Sequence, residues 1–410
     1  LGGASAALLT GGPLGSVAFA QGDEPARGGV LSMVLANDPP NFDIISQSTS
    51  MALNVLAPCY NGLVMFDPLD PDAIIGDLAE SWDISEDGTV YTFHLVENAK
   101  FHDGHPLTSA DVKYSFDITR DPPEGVVSLR KATLAAVESI DAPDDYTVTF
   151  TLSEPSSSFL TNLATGWMLV MPKHIMEQTG SLKDQIVGSG PFRLKQYTRG
   201  VSVELERNPD YHVAGQPYLD GITGYIVPEY ATVHAYFRTG QILLFDEARL
   251  EDIKQIRDEM GDNALTFETE GLTVEGIWLN STHEPFNDVR VRQAIHLGHD
   301  RREGIEVVTH GGGVVGGLLP PGRWALPPEQ LAEIAGYSTD MEANRAEARK
   351  LLAEAGFPDG FSATITTRRA ASFNEARAVY MQDQMAKIGI KLDIRVLETA
   401  SYYDALARRD

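Results

Sequence analysis

Residues Phe101–Phe116 read FHDGHPLTSADVKYSF, and the way this stretch breaks up decides the fold class. Gly104 and Pro106 flank His105, so His102 and His105 sit in a turn and not on one helical face. Thr108 then offers an N-cap with Asp111 three residues on, a capping box with Asp in place of Glu. Val112 and Phe116, four apart, begin an apolar helical stripe. Upstream, residues 88–96 (GTVYTFHLV) alternate: Tyr91, Phe93 and Leu95 share one face, Thr92 and His94 the other, the period of a half-buried strand. The order is strand, turn, capped helix. Metal capture needs converging nitrogens and further ligands, and nothing local supplies that set. His102 and His105 therefore read as scaffold, and no metal ligand is predicted.

The same two periods recur along the chain. YTVTFTLS puts Tyr146, Val148, Phe150 and Leu152 on one strand face. VSVELE aligns Val201, Val203 and Leu205, and KLDIRV aligns Leu392, Ile394 and Val396. GGVLSMVLAN predicts an opening strand that ends at Asp38-Pro39-Pro40. Asp340 caps a predicted helix over residues 341–355, stopped by Gly356 and Pro358. Phe373, Ala376, Tyr380, Met385 and Ile388 mark the apolar face of another, ended by Gly389. Strands and helices mix without a strict βαβ repeat, which gives an α/β or α+β class with more than one lobe.

The chain has 410 residues, 43% hydrophobic and 22% charged, ordinary for a soluble globular protein with room for two or three domains. Its formal net charge of -26 argues against nucleic acid and anionic membranes as partners, because phosphates would be repelled. The single cysteine, Cys59, rules out an intrachain disulfide and reads as a small buried side chain. Residues 1–20, LGGASAALLTGGPLGSVAFA, carry no charge and end in the small-x-small site Ala18-Phe19-Ala20. They are read as a partial signal peptide whose basic start is missing, with residues 21–27 a linker. The expectation is an exported protein, periplasmic or extracellular.

Candidate catalytic motifs fail on context. Gly311–Gly316 fits G-x-G-x-x-G by letter, but it leads into Leu318-Leu319-Pro320-Pro321, which does not open a helix for a pyrophosphate. Gly188-Ser189-Gly190-Pro191 is not a nucleophile elbow, since Pro191 opens a strand-like PFRLKQY. Asn280-Ser281-Thr282 is a glycosylation sequon by letter alone. No Ser-His-Asp set assembles, so no catalytic residue, no enzyme activity and no cofactor is predicted.

Four ordered blocks resemble the family 5 extracellular solute-binding proteins, the dipeptide-, oligopeptide- and nickel-type receptors of bacterial ABC importers. They are Gly76–Phe116 (GDLAESW…YTFHL…FHDGHPLTSADV), Val187–His212 (VGSGPFRLKQY…), Ile277–Gly313 (with N-x-x-x-x-P-F-x-D-x-R-V-R-Q-A) and Asn344–Phe361. The resemblance implies a two-lobed periplasmic-binding-protein clamp, type II-like, with an extra α+β domain. By similarity, lobe I takes 28–64 and 186–270, the extra domain 65–185, and lobe III 271–410, incomplete at its C-terminus because family members continue further. It also implies closure on a small-molecule or peptide ligand and its delivery to an ABC permease; a monomer is the expected state. A metal chelate or oligosaccharide is the alternative ligand, and a secreted hydrolase the alternative class.

Site residues also come from the resemblance. Peptide-binding relatives grip the ligand carboxylate with an arginine before the helix that ends in K-x-G; here TTRRAASFNEAR offers Arg368, or Arg369 at an offset of one. A planar guanidinium suits a carboxylate through two parallel hydrogen bonds. Dipeptide-binding relatives carry an aromatic two positions after that arginine; Ala370 stands here, which argues against a strict dipeptide ligand. The opposite wall is expected from the loop Ser46–Ser50, with Ser48, Thr49 and Ser50 as ligand contacts, and Trp278 is a candidate stacking residue or a core residue.

Overall fold

The computed structural model describes residues 25–409 except 71, 247, 269–273, 320–324 and 370–373. The proposed signal segment, Phe373 and Ala370 lie outside the described residues. The class is mixed α/β, with two four-stranded sheets, a parallel pair and a short hairpin among the described residues. The chain forms two compact units. The first comprises residues 25–228 and Thr239–Leu244; the second comprises Glu229–Arg238 and the residues from Phe245 onward.

In the first unit, the alternating stretches become an antiparallel sheet. Its strand order is Ala79–Ile84, Val90–Leu95, Thr147–Leu152, Val137–Asp144. Phe93 pairs with Val148 and Tyr91 with Phe150, so their apolar faces coincide. Phe93, Phe116 and Phe150 are fully buried and meet edge-on, with centroids 5.7 Å (Phe93–Phe150) and 5.3 Å (Phe116–Phe150) apart. Burying each contributes about 2–3 kcal/mol. Phe116 comes from the helix Ser109–Arg120, whose start is set by Asp111. That carboxylate accepts the Thr108 N–H at 3.0 Å and the Thr108 hydroxyl at 3.1 Å. On the polar face, His94 pairs with Asp83 at 3.1 Å on the surface.

A second sheet runs Val30–Leu35, Gly221–Ile226, Ser202–Arg207, Phe192–Thr198, with the first pair parallel and the rest antiparallel. Its core takes in Leu35, Leu56, Cys59 and Tyr60. Cys59 is fully buried, and burial pushes its thiol far up, so it stays protonated. Val201, expected in line with Val203 and Leu205, lies in the turn before the strand and is 56% exposed; its N–H closes that turn on Thr198 O. The Gly188-Ser189-Gly190 run is a close backbone crossing. A Cβ on Gly188 would lie 1.8 Å from Cys59 O, and Ser189 Oγ donates to Asn61 Oδ1 at 2.9 Å. His102 belongs to this crossing: its Nε2 faces Gly190 O at 3.1 Å and its Nδ1 accepts the Gly188 N–H at 3.3 Å.

In the second unit, the parallel strands Phe361–Arg368 and Ile390–Leu397 are joined by the helix Asn374–Ala386. The buried row of that helix is Ala378, Met381, Met385 and, just beyond its end, Ile388, at three- and four-residue steps. Tyr380 is also buried, whereas Ala376, expected on this face, is exposed. Helix Met341–Glu354 packs on Val289–Gly298; Asp340 caps the former by accepting the Ala343 N–H at 3.0 Å. Residues 312–317 of the glycine run hold no regular structure.

Candidate functional site

The ends of the parallel pair in the second unit border an open notch of about 400 Å³. Arg368 is the last residue of its strand, opposite Leu397. Its guanidinium carbon lies 5.6 Å from the centroid of the Tyr403 ring. Neighbouring residues on extended backbone point to opposite sides, and Arg369 does so. Its N–H donates to Leu397 O at 2.9 Å, and its side chain reaches Glu398 at 3.7 Å, both partners more than two-thirds exposed (71% and 75%). Of the two arginines, only Arg368 lines the notch.

Trp278 also lines it and is 83% exposed, so the core alternative for this residue does not hold. Three further contributors carry no motif of their own. Arg377 forms an ion pair with Glu275 and donates to Asn374 Oδ1 at 3.2 Å. Tyr402 and Tyr403, with ring centroids 5.5 Å apart, come from the helix Thr399–Arg408. The one local signal for Arg377 is its place three residues after Asn374 on the helix that follows the arginine pair. A cation laid along an aromatic face beside an open polar rim is suited to an anionic group.

Ser48, Thr49 and Ser50 belong to the first unit. Thr49 caps the helix Ser50–Leu56, its hydroxyl accepting the Ala52 N–H at 3.3 Å, so that side chain is already used in holding the fold. Ser48 and Ser50 are exposed. The loop is held from beneath by Arg130, which the motifs did not flag. Its Nη2 donates to Ile44 O at 2.6 Å, Ile45 O at 2.9 Å and Gln47 O at 2.5 Å. Its guanidinium stacks 4.6 Å from the Trp167 ring centroid. Burial lowers the Arg130 pKa, against an opposing pull from Asp43.

Fold and notch together define a binding protein. Residues 73–410 match the family described as bacterial extracellular solute-binding proteins, family 5 Middle, and the chain belongs to that family. It is 29% identical to the glutathione-binding protein GsiB of Pectobacterium atrosepticum, over 87% of this chain and 67% of that one. It is 31% identical to heme-binding protein A of Haemophilus influenzae, over 84% of this chain and 65% of that one. The chain thus spans about two-thirds of the length of these relatives. Among solved structures, it resembles the ABC transporter-associated periplasmic binding protein DppA from Helicobacter pylori in complex with peptide STSA. The TM-score is 0.82 at 30% identity, covering 93% of this chain and 76% of that one. The periplasmic-binding-protein clamp is therefore this chain's fold. No helix among the described residues is long and apolar enough to cross a membrane.

Proposed function

We propose that this chain is an extracytoplasmic receptor of an ABC importer that captures peptides or peptide-like solutes and hands them to a permease without breaking a bond in them. The observation that carries this reading is Arg368, lining the notch with its guanidinium by the Tyr403 ring, a geometry fitted to a ligand carboxylate. In the loop Ser48–Ser50, braced by Arg130, the exposed Ser48 and Ser50 offer hydroxyls for the ligand's other polar groups, with Thr49 holding the loop's shape. Lobe I takes 28–64 and 186–270, the extra domain 65–185 and lobe III 271–410. Ligand contacts with both lobes favour a closed state, and hinge closure follows as a population shift. The receptor works as a monomer in the periplasm or outside the cell. The peptide complex of the Helicobacter pylori protein supports the ligand class.

Calorimetry on the whole chain tests this against peptides with free and amidated C-termini, with heme, nickel chelates and oligosaccharides as other arms. Free-carboxylate peptides should bind. Arg368→Ala should weaken them by about 2–5 kcal/mol, the range for truncating one partner of a buried charge pair. Arg369→Ala should cost no more than about 1 kcal/mol, as for exposed ion pairs. Equal effects of the two variants, or binding only in another arm, would refute the reading.

A further inference from the structure

His102 and His105 part company in the fold. Both His102 nitrogens are engaged by the Gly188–Gly190 crossing. His105 faces the other way, and a residue far along the chain comes to meet it. That residue is His174, on the helix Lys173–Thr179. The His105 and His174 rings stack, with centroids 4.0 Å apart and planes 15° from parallel. His174 Nε2 is 2.7 Å from Asp103 Oδ2. One ligand-type atom from each of Asp103, His105 and His174 lies within 4.8 Å of the others.

We propose that Asp103, His105 and His174 form a binding site for a borderline divalent transition-metal ion of the zinc type. Two imidazoles and one carboxylate are the donor set such ions take, whereas calcium and magnesium favour all-oxygen sites. Three protein ligands leave the fourth tetrahedral position to water. Donors bonded to zinc at about 2.0–2.2 Å lie roughly 3.3 Å apart, so the cluster closes by a small rotation of a side chain. His105 is exposed and is the one to rotate.

The site is organised without the ion. Phe101 N–H donates to His105 O, and Gly104 N–H to Phe101 O, both at 2.8 Å. Gly104 has φ 88°, a conformation that suits glycine. Asp103 Oδ1 accepts the His105 N–H at 3.1 Å, which leaves Oδ2 toward His174. The His174 ring leans on Phe101, centroids 5.7 Å apart. These are the outer contacts that orient metal ligands.

The position of the site says what a bound ion would do. Phe101 belongs to the core beneath the antiparallel sheet, while Met176, on the same helix as His174, belongs to the core of the other sheet. An ion held here staples the two cores of the first unit, away from the notch at Arg368.

Zinc chloride titrated into the metal-stripped whole chain by calorimetry should show one zinc per chain and should raise the thermal midpoint. Cobalt in its place should give the visible bands of a tetrahedral site. His105→Ala, at an exposed position that leaves the fold intact, should abolish both the heat and the midpoint shift, and His174→Ala should do the same. His283→Ala, on the second unit, should change neither. An unchanged isotherm in the His105→Ala protein, no zinc heat at millimolar zinc, or an equal midpoint shift from calcium or magnesium would overturn the proposal.

Discussion

At the scale of single residues, the decisive contacts are made by groups with little chemistry of their own. Gly188 passes so close to Cys59 O that a methyl group has nowhere to go. Gly188→Ala should lower stability by about 4 kcal/mol or more, read as a drop in the urea midpoint; such values mark a core that cannot yield. Ser189→Ala, which loses one bond to Asn61, should cost about 1 kcal/mol. His299 makes a prediction in pH. Burial first, and the Arg301 cation second, push its pKa down to about 4, while an unfolded histidine titrates near 6.5. The unfolded chain therefore takes up a proton that the folded His299 refuses. Stability from this group is complete above about pH 6.5 and is lost as pH falls toward 4, at a slope approaching ~1.4 kcal/mol per pH unit. Urea midpoints between pH 7 and 5 should fall less steeply in His299→Gln than in the parent. Local sequence rejects the serine motif correctly, because Pro191 follows it, but only the fold shows what the glycines are for. The resemblance offers Arg368 and Arg369 alike, and the fold puts only Arg368 at the notch. Strand alternation then separates them, since adjacent side chains cannot face the same way. Arg377 was not legible, because its partner Glu275 lies far away in sequence.

At the scale of elements, the periodic segments formed where their spacing put them, and the misses sit at ends. Val201 has the right parity for its strand but falls in the turn before it. On the helix Asn374–Ala386, Ala376 and Ala378 are equivalent in size and hydropathy, so packing alone chose Ala378. The join between elements is where sequence says least. Asp111 holds the Thr108 N–H with one oxygen, and with the other accepts the Lys173 N–H at 3.1 Å, at the start of the helix that carries His174. One carboxylate thus fixes the ends of two helices. Asp111→Ala leaves both without that acceptor and should cost about 2–3 kcal/mol, more than the usual ~1 kcal/mol for losing a single cap. Asp340→Ala, a cap serving one helix, provides the comparison at about 1 kcal/mol. Phe150→Ala, beneath the sheet, should cost about 3–5 kcal/mol. Thermal midpoints of the three proteins should rank accordingly.

At the scale of the molecule, the ordered blocks from Gly76 to Phe361 carried the family, since four motifs in sequence are far more specific than any one. They carried nothing of the path by which the chain divides. No change in composition marks Glu229, where the backbone leaves the first unit, yet the helix Tyr230–Arg238 packs on Leu250–Met260, with Arg249 lying 4.1 Å from the Tyr230 ring centroid. Residues Thr239–Leu244 then return to the first unit, where the N–H groups of Leu243 and Leu244 donate to Ser32 O at 2.8 and 3.1 Å. If ligand drives hinge closure, small-angle scattering on the whole chain should show a smaller radius of gyration with a saturating peptide, and no change for Arg368→Ala at the same concentration.

That out-and-back path makes the backbone pass between the units three times, after Pro228, Arg238 and Leu244. A protease that nicks the passage after Arg238 leaves two pieces, each of which still spans both units. The clipped chain should run as two fragments on a denaturing gel and still elute as one particle from a sizing column. Only at that passage does each piece keep a share of both units; a nick after Pro228 or after Leu244 frees one piece that belongs to a single unit.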